Sequence, residues 1–458
     1  MSVSFFKKCA LACVLLLGSH VMHALTSKSK NDPFPLFTTL QPQEYLQTRI
    51  KDQLNGRTDE EDKLNHLGIS ITPFGQNADV GKNINGEERN LGSLTDRWGM
   101  IGLLLGDLPT GQTLPSILTT ARNVLFPGAP VGFDDETVMD PKQEFGFFSI
   151  PATYRRRGLR ARFSVGLFED LGIAVEVGAS DINFTVTAFT YPPEATFPCL
   201  DKDQYPNLTN DNVQKYLMCK FKEISKEIGL NLCDFHKASI EDVRMHLYWR
   251  RAFEVNKDDK PWPHFLFIPF FDIGVSFASG REVETSEAFG LPFGNNGHHS
   301  LGAVGGINLD FSETIEIGFE VGVTHFFEKD FCDYFIPNSE NQLGIFPFKT
   351  NVSIDPGLNW HFGLKLNAHH FLDKLSFYFQ WVIIEHKPDT INLKGSCDPA
   401  FKPEVLACTT AWKAQVINTA LNYDISPNVG LGFAWQAPIS QRNVFKNSTV
   451  LFGLNFVF

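Results

Sequence analysis

The residues with the most chemical potential are charged side chains set singly into alternating apolar runs. Asp272, Asp310, Glu316, Glu320 and Glu176 supply carboxylates, and Arg160, Arg162, Arg244, Arg250 and Lys365 supply cations. Nearly all have an apolar residue on each side, so in an extended chain the charge points one way and its neighbours the other. Charges gathered on one face of a closed sheet are costly unless they pair or meet water. Two arrangements follow: a generally polar interior, or an acidic wall facing a basic wall at a constriction. The second would orient polar solutes and tune ion selectivity.

Other residues carry weaker chemistry. His298 and His299 follow Glu282, Glu284 and Glu287, from which a metal or hydrolytic site could be built. A solvated loop is the expectation there, and also for His369 and His370. No Ser–His run of a lipase kind is present, so no catalytic residue, metal or cofactor is expected. Cys199, Cys219, Cys233, Cys332, Cys397 and Cys408 follow the N-terminal leader. An even cysteine count in an exported chain favours disulfides, and the absence of C-x-x-C spacing disfavours zinc. Cys397 and Cys408 are expected to pair. Two of Cys199, Cys219 and Cys233 are expected to join, leaving the third for Cys332.

The elements that position these residues are strands of period two. Alternation runs through Leu159–Leu167, Leu171–Gly178, Phe271–Phe277, Gly306–Phe311, Ile315–Thr324, Leu358–Asn367, Leu375–Ile383, Asn428–Gln436 and Thr449–Phe458. Val243–Glu254 and Ala411–Tyr423 alternate less cleanly, and Trp98–Gly106 is almost continuously apolar. Twelve such strands, with a helix in only one connection, predict an all-β fold, an antiparallel transmembrane barrel over residues 97–458. The connections alternate short and long, as in a barrel with periplasmic turns and long extracellular loops. All six cysteines fall in the long connections. The longest, 190–242, contains a predicted helix over 209–229. Residues 25–96 are polar and are expected to form a periplasmic segment or a plug.

The N-terminus places Lys7 and Lys8 before an apolar run, Ala10–Gly18, with Ala24 at a candidate cleavage point. This predicts a signal peptide over residues 1–24, too short to span a bilayer. The 458-residue chain has a formal net charge of −12, which argues against a nucleic-acid partner. Aromatic residues make up 13%, 43 of them Phe, yet the mean hydropathy is only −0.12. A sheet apolar on one face and polar on the other reconciles the two.

The chain ends with Val450, Phe452, Leu454, Phe456 and Phe458 at alternate positions. This run resembles the C-terminal signature of Gram-negative outer-membrane barrel proteins. The resemblance implies an outer-membrane location and reading of Phe452, Leu454, Phe456 and Phe458 by the barrel-assembly machinery. The expected function is a porin-like channel for passive diffusion of small polar solutes in contact with outer-membrane lipid. The alternatives are a surface-structural or adhesive barrel, an apolar-solute transporter and a surface enzyme.

Overall fold

The computed structural model describes residues 67–93, 98–99, 101–125, 147–148, 150–168, 170–187, 220–255, 265–312, 314–340, 342, 344–395 and 398–458. The candidate leader, residues 25–66, helix residues 209–219, and Cys199, Cys219 and Cys397 lie outside the described residues.

Twelve antiparallel strands form a closed barrel. They are β1 (Leu67–Ala78), β2 (Ala152–Phe168), β3 (Leu171–Val186), β4 (Phe235–Ile240 continued by Val243–Arg250), β5 (Phe265–Phe277) and β6 (Ser300–Phe311). The remainder are β7 (Ile315–Phe326), β8 (Asn359–Leu372), β9 (Leu375–His386), β10 (Trp412–Ser426), β11 (Val429–Arg442) and β12 (Ser448–Val457). Each pairs with its sequence neighbour. Pairing of β12 with β1, from Gly68↔Val457 to Asn77↔Ser448, closes the ring.

The period-two pattern explains the orientation. On β7, Ile315, Ile317, Phe319, Val321 and Val323 are exposed, while Glu316, Gly318, Glu320, Gly322 and Thr324 are buried. A water-soluble sheet would bury the apolar set. Here Leu159, Phe163, Phe271, Leu364, Phe433 and Phe452 also face outward on other strands. So wide an apolar belt around a polar interior is stable against lipid rather than water. Among the described residues no helix is long and apolar enough to cross a membrane.

The strand count of twelve matches expectation, but one strand is exchanged. Leu67–Ala78 is a barrel strand bonded to both β2 and β12, so the barrel begins thirty residues before the expected boundary at 97. Its pattern is hidden in sequence by Pro73, which lacks a donor. The pairing with β12 runs through Ile71↔Leu454 and resumes at Phe74↔Leu451, so the proline sits where that ladder is interrupted. Conversely, the Trp98–Gly106 run forms a two-residue strand, Trp98–Gly99, and a short 3-10 turn, Ile101–Leu104. Leu103, Leu104 and Leu105 are all buried. A run without alternation has no polar side to give a lumen, so it folds into a small core instead.

That core belongs to a cap built from the long connections at one end of the barrel. It unites Leu91, Leu103, Leu118, Phe221, Ile224, Phe289, Phe293 and Phe445 with the inward Tyr154, Ile182 and Phe184 at the barrel rim. Helix α1 (Ser116–Leu125) begins against α2 (Phe221–Glu227): Ser116 Oγ and the Ile117 N–H both donate to the Glu227 carboxylate. Helix α2 lies within the stretch 209–229 predicted to be helical. A three-stranded sheet (Lys329–Ile336, Phe348–Asp355 and Thr390–Leu393) covers a second apolar cluster. Gly106 joins the two regions at φ +85°, where an added Cβ would lie 2.2 Å from the Asn338 carbonyl oxygen. Only glycine fits that turn and that contact. Cys233, Cys332 and Cys408 are free thiols, contrary to the expected disulfides, so among its described residues the cap is held by packing, hydrogen bonds and ion pairs.

Candidate functional site

The lumen is built by the ladder itself. Inward positions of adjacent strands lie side by side, so charges spaced by two in sequence become rows across strands. All ten charged candidates occupy inward positions, and all are buried except Arg250, which is partly exposed. Arg156, Arg160 and Arg162 on β2 and Arg244 on β4 form a basic wall. Asp272 on β5, Asp310 on β6, and Glu316 and Glu320 on β7 form an acidic one.

The charges form specific pairs, both within and between the walls. Arg244 donates to Glu176 at 3.1 Å. Arg250 reaches past two strands to Glu316 at 3.0 Å, and Lys365 lies 3.5 Å from the same carboxylate. His246 contacts Asp272, and His361 contacts Glu320, each at 3.1 Å. Asn367 donates to Glu316 at 2.7 Å.

Sequence reasoning missed the tightest contact. Arg156 and the Arg160 Nε meet the Glu241 carboxylate at 2.5 and 2.7 Å. By sequence Glu241 falls in the long connection 190–242. It sits at a β-bulge: Ala179↔Ile240 and Glu176↔Arg244 differ in register by one residue, so β4 carries one more residue than β3 over this stretch. The bulge turns two consecutive acids inward. Glu241 clamps the arginines, and Asp242 accepts the backbone N–H of Gly280 and Asn295 at 2.9 and 2.6 Å. Two adjacent acids breaking an alternation, with Tyr154-Arg155-Arg156-Arg157 across the wall, were the available signal.

The remaining lumen face differs. Strands β9 to β12 and β1 present Gln76, Gln380, Asn418, Gln436, Thr449 and Asn455 around an apolar patch of Phe74, Tyr378, Ala420, Ala434 and Leu451. The Gln380 and Asn418 amides bond at 2.5 Å, and Gln76 donates to Thr449 at 3.1 Å. Arg160 lies over the Phe74 ring at 4.4 Å, where the two halves meet. The interior is thus charged on β2 to β8 and mostly neutral opposite. Both amide atoms of Asn308, the Arg244 Nε and the Gln380 Nε2 make no hydrogen bond with protein. Buried polar atoms of this kind are costly in a dry core and ordinary in a hydrated one.

Of the histidines expected to be solvated, His299 and His370 are exposed, while His298 and His369 are not. His298 is buried rather than solvated: its ring packs 5.6 Å from Phe331, and Nδ1 donates to the Phe327 carbonyl at 2.9 Å. Burial pushes its pKa down to about 4. Glu282, Glu284 and Glu287 pair with Lys329, Arg281 and Lys237. His369 is half-buried at the short-turn end, near Asp310 and Glu316.

No protein-family model matches this sequence, and no curated protein does. Among solved structures, the chain is similar to an outer-membrane channel from Pseudomonas putida F1, at 9% identity and a TM-score of 0.46. That alignment covers 87% of this chain and 98% of the other. It is also similar to the translocator domain of the autotransporter NalP from Neisseria meningitidis, at 8% identity and TM-score 0.33, covering 91% and 96%. A Pseudomonas aeruginosa FadL homologue aligns at 9% identity and TM-score 0.30, covering 86% and 90%. At these values nothing about solute or mechanism passes from them to this chain.

Proposed function

We propose that this protein is an outer-membrane channel for small polar solutes, closed at its long-loop end by the folded cap. The observation that supports this reading most is the lumen itself. Six acids (Glu176, Glu241, Asp272, Asp310, Glu316 and Glu320) and six bases (Arg156, Arg160, Arg162, Arg244, Arg250 and Lys365) face a single barrel interior. A barrel serving only as a surface scaffold could fill its core with apolar side chains at lower cost. A transporter of apolar solutes would not line its path with amides and ions.

The apolar outer belt supports a place in the bilayer. The terminal run supports handling by the barrel-assembly machinery. At the chain end, the Phe458 N–H donates to the Leu67 carbonyl at 2.8 Å and seals the first strand to the last, so assembly would finish on the same residues. The leader resembles a signal peptide and would deliver the chain across the inner membrane.

Planar-bilayer recording of the refolded chain tests the reading. Small, infrequent openings are expected from the intact protein. Larger and steadier conductance is expected after replacing residues 101–125 by a short Gly/Ser linker. A variant that is folded and silent would refute the channel reading.

A further inference from the structure

We infer that Asp310, Glu316 and His369 form a binding site for one divalent transition-metal ion at the short-turn end of the lumen. Their ligand atoms all lie within 4.8 Å of one another. Three strands deliver them. Asp310 and Glu316 are direct partners on β6 and β7, flanking the turn that joins those strands. The His369 N–H donates to the Thr314 carbonyl in that turn at 2.8 Å, which ties the end of β8 alongside. The Tyr378 ring meets the imidazole edge-on at 5.9 Å and fixes its plane.

Two observations point to a ligand. The His369 Nε2 is buried yet makes no hydrogen bond with protein, an unusual state for an imidazole nitrogen. In addition, the two carboxylates sit directly opposite on neighbouring strands, a repulsion that a shared cation relieves and that Lys365 and Arg250 meet in part at Glu316. Two oxygens and one imidazole nitrogen suit zinc, cobalt, nickel or manganese better than calcium or magnesium. Three protein ligands leave coordination positions open towards the lumen. The neighbours are arranged as an outer layer: Asn367 holds Glu316 Oε1 at 2.7 Å, and Arg250 holds Oε2 at 3.0 Å.

Lys365 is the competitor. Its Nζ is 3.5 Å from Glu316 Oε1, and 5.2 Å from the Phe270 ring centroid, against which it can rest when displaced. The affinity is therefore set by an exchange of one cation for another, and removing Lys365 tightens the site. This reading replaces the expectation of solvated histidines with no metal. It holds whether or not the lumen conducts.

The test uses the full mature chain without a polyhistidine tag, titrated with Co2+ and followed by visible absorption, then with Zn2+ by calorimetry. One ion per chain is expected. His369→Gln should weaken binding about tenfold or more, since lost ligands cost at least as much as lost outer-layer partners. Lys365→Gln should strengthen it. Folding of each variant is checked by its heat-dependent gel mobility. Failure to saturate at one ion per chain would overturn the proposal. So would unchanged affinity in a folded His369→Gln variant, which would place any bound ion elsewhere.

Discussion

Replacing Glu241 by Gln keeps the shape of the side chain and removes the one carboxylate that two arginines share. The Glu241 side chain is 2% exposed, and those of Arg156 and Arg160 are 4% and 11% exposed. Breaking a buried pair from one side costs about 3–5 kcal/mol, because the partner charge stays behind unpaired. Here two guanidinium groups lose that carboxylate, and Glu176 remains in the field of Arg160. Arg156 keeps Ser180, 3.0 Å from its Nε, and Arg160 keeps the Phe74 ring. Those contacts, and a hydrated lumen, bring the expected loss to the low end, about 3 kcal/mol. The assay is equilibrium urea unfolding of the refolded chain in micelles, followed by tryptophan fluorescence. Glu284→Gln is the control: its side chain is 54% exposed beside Arg281 and Lys237, and such a pair is worth about 0–1 kcal/mol. Adding Arg160→Met to Glu241→Gln should recover part of the loss, which identifies stranded charge as the cause. If Glu241→Gln costs no more than the control, the clamp does not hold the barrel wall as argued.

Two further outcomes follow from the same geometry. Phe319 points outward at the middle of β7, so Phe319→Arg should destabilise the barrel in bilayers by about 2–4 kcal/mol, with a smaller cost for the same change near either rim; equal costs at both depths would mean the belt does not face lipid. The pKa of His298, depressed by burial, makes the cap pH-sensitive. Above pH ~6.5 the imidazole is neutral whether the cap is folded or unfolded, and its contribution is constant. Between pH ~6.5 and the folded value of about 4, the unfolded form takes a proton that the folded form refuses, so stability falls with falling pH. The loss by pH ~5 is about 2 kcal/mol. Protease sensitivity of the cap in the wild-type chain and in His298→Gln should diverge over this window, and identical pH profiles would remove His298 as the cause.

The sequence by itself determined the barrel. Alternation with period two, short turns against long connections and the aromatic terminal strand fix which face of each strand meets lipid, because a one-residue slip would turn every side chain to the wrong side. The same rule made the inward charges legible, from Arg160 to Lys365. Tertiary structure decided what the pattern could not carry. Leu67–Ala78 closes the ring although Pro73 and its polar neighbours blur its alternation, because a strand bonded on both edges gains two ladders. Trp98–Gly106 joins the cap because an unbroken apolar run is better buried on all sides than split between lipid and lumen. The clamp at Glu241 depends on a bulge, and a bulge is a matter of register between two strands that neither records alone. The approach of His369 to Asp310 and Glu316 is likewise a property of three strand ends meeting. Partners far apart in sequence are chosen by closure of the sheet, and closure is a property of the whole ring.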